Sequence, residues 1–314
     1  MNANRNLTGS KVILIPIDHG NSHIKTDRDV ITSGVKVVDE PLDTKNILQM
    51  GDGTMYRIGG ERMPLQENKV VTPNFYLLTL AMIALEFDRK GITEGEIILA
   101  TGLPIGRLGS EKKAFRDYLM RNESVSYRYG QKPYRVKIRD VYVYPQCYGA
   151  IIEQLPYMKS QEVVVDIGSW TVDTMVFTDH SPNESRCGSD PNGLIPCMRK
   201  IEEQCVRKLN SKVGEAVIRE VMVTGKADVD QEYIDIIESE LKAYTKDVFR
   251  IIVEQGVNIK TTPVTFVGGG AALMKRYGEI DQKNVHYIED IRANAKGYKL
   301  IAAAHLKNAG IVFE

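Results

Sequence analysis

Cysteine, tryptophan, net charge and long apolar runs are what this 314-residue sequence has least of. Its four cysteines, Cys147, Cys187, Cys197 and Cys205, form no C-x-x-C pair and have no histidine at ligand spacing. Neither a zinc site nor a redox couple is suggested, and reduced thiols in a cytoplasmic protein are expected. Forty-one Lys plus Arg balance forty-one Asp plus Glu, for a formal charge of zero. The cationic face of a direct nucleic-acid binder is therefore not expected. Met1 to Lys11 is polar, and the apolar run Val12 to Ile17 stops at Asp18. That run is too short for a signal h-region or a membrane span, so no targeting segment and no membrane partner are expected. What remains is ordinary globular composition, 43% hydrophobic and 26% charged, which excludes disorder as the main state. At roughly 150 residues per domain the length suggests two domains.

Val12 to Ile17 reads as a buried strand, although Pro16 is more at home at an edge or bulge. His19 to Ser22 signals a turn, and His23 to Thr26 returns as the second strand of a hairpin. Short strands at Val35 to Val38 and Met55 to Ile58 suggest a small β-rich insert over about residues 30–70. A helix is expected from Pro73 to Phe87, a strand at Glu96 to Ala100 and a charged helix from Glu111 to Arg121. Two strands follow, Tyr134 to Ile138 and Val141 to Tyr144, and Pro145 opens a helix through Met158. Strand, tight turn and strand recur at Glu162 to Asp166 and Val172 to Thr178. Helices fit Gly193 to Leu209 and Tyr233 to Glu254. A strand at Val264 to Val267 ends in three glycines, and a closing helix covers Asp290 to Leu306.

Two segments share one layout. Asp18-x-Gly20-x-x-x-x-Lys25 and Asp166-x-Gly168-x-x-Thr171-x-Asp173 each stand where a buried strand reaches a hairpin turn, and duplication is the natural reading. A glycine just past a strand lets backbone N–H groups approach an anion, and a carboxylate at the strand end can hold a hydrated magnesium ion. Facing turns of this kind would clamp a polyphosphate. Either turn alone reads equally well as a plain hairpin. The third element, Phe266-Val267-Gly268-Gly269-Gly270-Ala271-Ala272-Leu273-Met274, runs a strand through a triglycine turn into a helix. Bare backbone there leaves room for a base or ribose, and the helix N-terminus favours anions. It lacks the G-x-G-x-x-G of a dinucleotide fingerprint.

In this order, with Pro145-Gln146-Cys147-Tyr148-Gly149 before the second turn, these elements resemble the actin-like ATPase superfamily, nearest to the plasmid-segregation actins of the ParM/StbA type. Tyr56 to Gly60, Thr101 to Pro104 and Asn294-Ala295-Lys296-Gly297-Tyr298 add to a likeness that spans nearly the whole chain. The resemblance implies an α/β, ribonuclease H-like fold of two lobes with ATP or GTP and Mg2+ in the inter-lobe cleft. Lobe I would comprise 1–160, completed by a C-terminal helix at 292–314, and lobe II 161–291, with hinges at the helices of Pro145 and Asn294. Asp18 and Asp166 would hold the metal. Gly20, Asn21 and Ser22 would cradle phosphate, with Lys25 near the β-phosphate, and Gly168, Ser169, Trp170 and Thr171 would form the second phosphate turn. Gly268, Gly269, Gly270 and Ala271 would line the adenosine, and Gln146 would position the attacking water. Trp170 departs from the small residues usual in that turn. Lys200, Glu202 and Glu203 would border ribose or base, although periodicity alone makes them a solvated helix face.

The implied function is a nucleotide-driven filament that segregates plasmid DNA through a small DNA-binding adaptor, an inference by analogy of fold. A small-molecule kinase and a chaperone-like ATPase share the same loops and stand as alternatives. His19 and His23 read as exposed loop histidines. Arg107, Lys112, Lys113 and Arg116 read as a solvated helix face. The tyrosines between Tyr118 and Tyr148 read as sheet packing rather than a base-stacking strip.

Overall fold

The computed structural model describes residues 11–66, 68–280 and 283–314. Residues 1–10, 67 and 281–282, which fall within the expected lobes and insert, lie outside the described residues. The chain divides into two compact units, one of the stretch ending at Gly102 with Glu111–Tyr144 and Tyr298–Glu314, the other of Leu103–Ser110 and Pro145–Gly297.

The first unit carries a sheet built from β1 (Ile13–His19), β2 (His23–Lys25), β3 (Val30–Thr32), β4 (Val35–Val38), β5 (Ile47–Met50), β6 (Met55–Ile58), β7 (Glu94–Leu103), β8 (Ser124–Tyr129) and β9 (Lys132–Pro145). The strand order is β3-β2-β1-β7-β9-β8-β5-β6-β4, so the strands expected as an insert extend one continuous sheet. β1 is buried along its whole length and runs parallel to β7. Its proline is tolerated because β2 pairs only with Asp18 and His19, which leaves Pro16 beside β7 alone. Helix α1 (Asn74–Lys90) buries residues all around its circumference and ends at Gly91, whose φ of 69° supplies the left-handed cap.

Alternation along β8 turns Val125, Tyr127 and Tyr129 inward, and along β9 it turns Tyr134, Val136 and Ile138 inward. The tyrosines are thus core: the Tyr127 hydroxyl donates to the Leu80 carbonyl (2.7 Å), and that of Tyr134 to Asp88 (2.7 Å). The two strands expected at Tyr134 and Val141 are a single one, because Asp140 accepts the following amide and the Arg116 guanidinium without turning the chain. Helix α2 (Ile105–Leu119) starts six residues earlier than the charged segment suggests.

The helix expected from Pro145 to Met158 is absent. Two 3-10 turns, Gly149–Ile151 and Leu155–Tyr157, stand there instead, since Cys147 takes a left-handed φ of 66° that breaks a helical path.

The second unit carries β10 (Gln161–Ile167), β11 (Val172–Thr178), β12 (Ser181–Pro182), β13 (Gly188–Asp190), α3 (Leu194–Leu209), α4 (Glu215–Thr224), α5 (Gln231–Glu254), β14 (Val264–Val267), α6 (Gly269–Tyr277), β15 (Val285–Ile288) and the start of α7 (Ala293–Asn308). The order is β12-β11-β10-β14-β15, with β10, β14 and β15 parallel. β10 is apolar on both faces because both are covered. Val163, Val165 and Ile167 pack with α3, α5 and α6, while Val164 joins Cys147, Ile151, Met175 and Phe177 on the other side. No helix among the described residues is long and apolar enough to cross a membrane.

Candidate functional site

Each unit carries one strand–turn–strand with an aspartate at the strand end. In the first, Asp18 pairs across the hairpin with Lys25, and the Lys25 ammonium donates to Asp18 Oδ2 at 2.8 Å. Asp18 is buried, which pushes its carboxyl up, but the charges of Lys25 and Lys69 more than offset this and hold it below the ordinary carboxylate value. Ser33 ties the outside of the turn, its hydroxyl donating to the Gly20 carbonyl (2.6 Å) and its amide to that of Ser22 (2.9 Å). A Cβ on Gly20 would lie 2.6 Å from the His23 carbonyl oxygen, so the tight turn requires glycine. Asn21 is half-buried and Ser22 buried.

His19 is not an exposed loop residue. It ends β1 fully buried, 2.8 Å from the hydroxyls of both Thr79 and Thr101, with Phe75 and Phe115 edge-on to its ring. Thr79 donates its hydroxyl proton to the Phe75 carbonyl, so His19 Nε2–H donates to Thr79 and Nδ1 accepts from Thr101. Burial and the Lys69 ammonium push the imidazole down to about 3. Residues 60 and 82 positions away create this environment, and no local pattern announces it.

In the second unit Asp166 pairs with Asp173 and Ile167 with Val172. The Gly168 amide closes the turn on the Thr171 carbonyl (2.9 Å), and the Thr171 hydroxyl donates to Asp173 Oδ2 (2.9 Å). The amides of Gly193, Leu194 and Ile195, at the start of α3, donate to the carbonyls of Trp170, Gly168 and Ser169 at 3.0, 3.1 and 2.8 Å. A helix N-terminus thereby satisfies its own orphan amides and fixes the turn at once. The half-buried Trp170 ring packs on the unit's core with the Arg199 guanidinium 5.1 Å from its centroid.

β14 lies parallel to β10 with Val267 beside Asp166, so the triglycine starts at the acid. Gly268 has φ 78°, and a Cβ there would sit 2.6 Å from Asp166 Oδ1. One on Gly270 would sit 2.3 Å from Ile167 Cβ. Gly269 is exposed and Ala271 buried. Asp166, the 168–171 turn and Gly268–Ala271 are therefore gathered at one end of this sheet.

Gln146 follows β9, its amide donating to the Leu103 carbonyl (2.9 Å); the buried thiol of Cys147 beside it reaches the Asp173 carbonyl at 3.7 Å. Burial pushes all four thiols up, Cys197 to about 12. Lys200 is held by Glu240 of α5 at 3.1 Å, beside a cavity of about 40 Å³ lined also by Asn192, Pro196, Cys197, Tyr244 and Asp247. Glu203 is exposed on α3, and Glu202 half-buried. Asn294, which the sequence suggests only as part of a hinge helix, donates from Nδ2 to Asp166 Oδ2 at 2.8 Å.

Residues 11–149 match the family model of the actin-like proteins N-terminal domain. No curated protein sequence matches the chain. Among solved structures it is similar to Ta0583, an archaeal actin homolog, in complex with ADP (TM-score 0.72, 20% identity, 93% of this chain and 100% of that one). It is likewise similar to the Alp12 filament structure (0.67, 15%, 94% and 99%) and to Bacillus thuringiensis ParM with AMPPNP (0.65, 12%, 94% and 99%). The chain has the actin-like fold, a mixed α/β architecture with two sheets, and the actin-like resemblance read from the sequence holds.

Proposed function

We propose that this chain is a nucleotide-driven actin-like ATPase that polymerises, its two units acting as the two lobes, and that it segregates plasmid DNA through a small DNA-binding adaptor. The observation that carries the reading is the repeated frame: in each unit a buried strand ends in an aspartate paired seven positions on, followed by a glycine turn. Support comes also from the similar structures, one in complex with ADP, one with AMPPNP and one a filament.

In this reading the amides of Gly20, Asn21 and Ser22 and those of Ser169, Trp170 and Thr171 cradle the phosphates, Gly168 closing the second turn so that the chain can approach them, and Lys25 moves from Asp18 to the β-phosphate. Gly268 to Ala271 receive the adenosine or guanosine. Lys200 and Glu203 take the ribose or base, Lys200 giving up Glu240 to do so. Asp18 and Asp166 suit magnesium, being buried hard-oxygen donors at strand ends. Among the described residues no three His, Cys, Asp or Glu side chains form a cage, which fits an ion held by one or two carboxylates plus phosphates. When bound, magnesium neutralises phosphate charge. Gln146 orients the attacking water through its side-chain amide, without a covalent intermediate.

Head-to-tail addition of nucleotide-bound subunits is an open-ended heterologous contact, and hydrolysis makes it reversible. Light scattering after ATP or GTP addition tests this: a rise that decays as nucleotide is consumed is expected, and consumption without a rise contradicts the filament. Gln146→Ala should slow hydrolysis by about 100-fold and prolong the scattering plateau. Failure to assemble at normal nucleotide affinity would assign Gln146 a structural role instead.

A further inference from the structure

Asn294 is the second residue of α7 and is 7% exposed. Its place is over-determined. The Asp290 carboxylate accepts the Arg292 amide (3.0 Å) and the Lys296 ammonium, and the Asp290 carbonyl accepts the Ala293 amide (3.0 Å), which together fix the start of the helix. One turn on, Gly297 lies so close to the Gly149 carbonyl that a Cβ would come within 1.8 Å of it, so α7 is locked against the segment after β9. From this position Asn294 Nδ2 reaches across 128 residues to Asp166 Oδ2, while the bare Gly268 backbone confines Oδ1 of the same carboxylate.

The other end of the Asn294 amide is unexplained by the fold. Its Oδ1 is buried and has no hydrogen-bond partner among the described residues. An orphaned buried acceptor is destabilising, and an apolar side chain would fill the space without that cost. Asn294 Oδ1 is thus an acceptor on an amide whose other end already holds a carboxylate, itself an acceptor. What satisfies acceptors together is a cation that brings its own donors, a hydrated divalent ion.

We infer that Asn294 is a positioning residue for the divalent cation of the second turn: it orients the Asp166 carboxylate through Nδ2 and accepts a hydrogen from the ion's water shell at Oδ1. This rests on the nucleotide reading above. The test is a magnesium titration of the full chain with a fluorescent ATP analogue, with nucleotide affinity in EDTA and the melting transition measured alongside. Asn294→Ala is expected to raise the magnesium midpoint about 10–100-fold, the usual effect of removing an outer partner of a metal-bound carboxylate. EDTA affinity should stay within about threefold. Asn294→Ser, polar but too short to reach Asp166, should shift the midpoint equally and covers the case of a poorly folded alanine variant. In an Asp166→Ala background Asn294→Ala should have no further effect on nucleotide binding, which a merely structural role would not produce. An unchanged midpoint, or an equal loss of affinity in EDTA, overturns the assignment. Magnesium-independent binding by the unaltered protein would instead bring down the nucleotide-and-metal reading itself.

Discussion

The two aspartate turns share a backbone and differ in what surrounds it. Asp18 faces Lys25 across its hairpin, so the first turn carries its own counter-charge; Asp166 faces Asp173, so the second presents carboxylates on both strands. The residue after the acid is His19 in the first, hydrogen-bonded to Thr79 and Thr101, and Ile167 in the second, packed against glycine backbone. A serine side chain and amide back the first turn, whereas three amides at a helix N-terminus back the second. The backbone is kept and the charge exchanged, a lysine standing opposite the first acid and a second carboxylate opposite the other; in the proposed reading this suits the first turn to phosphate and the second to a cation.

The glycines two places after each acid give the largest expected difference. Gly20→Ala brings a Cβ to 2.6 Å from the His23 backbone oxygen, while Gly168→Ala brings one only to 3.3 Å from Thr171 O. The first should cost about 1–3 kcal/mol and the second under about 1 kcal/mol, read by denaturant unfolding. Equal costs would mean that the two turns are not strained differently.

A smaller effect separates the residues after the acids. His19 is held neutral at about 3, while in the unfolded chain it titrates near 6.5, so protons favour the unfolded state below that value. Its contribution is complete above pH 6.5 and is lost progressively as pH falls from 6.5 towards 3. Between pH 7 and 5.5 the nucleotide-free protein should lose about 1 kcal/mol by this route. His19→Gln should flatten that slope while lowering stability at pH 7; an unaltered slope would place the titration elsewhere.

How much of this was legible follows from where each signal resides. Both hairpins and the triglycine turn are readable because glycine, strand-end acids and apolar runs are local. The helix expected after Pro145 fails because a proline signals a first turn but says nothing of Cys147, which the tertiary structure holds in a left-handed conformation. Helix α4 buries Ile218, Val221 and Met222 at helical spacing, but over 10 residues that stripe is too short to stand out in the sequence. β8 alternates cleanly yet was hidden among its tyrosines and charges. His19 and Asn294 lay beyond local reading altogether: their partners stand 60 to 128 residues away, and only the fold brings them together.

The claim that both turns serve one nucleotide is tested most directly by isothermal titration of AMPPNP with magnesium into the chain and into its Asp18→Ala and Asp166→Ala variants. The account predicts one equivalent bound per chain and the loss of that same equivalent in either variant. Two equivalents, or one that survives the loss of either aspartate, would contradict it.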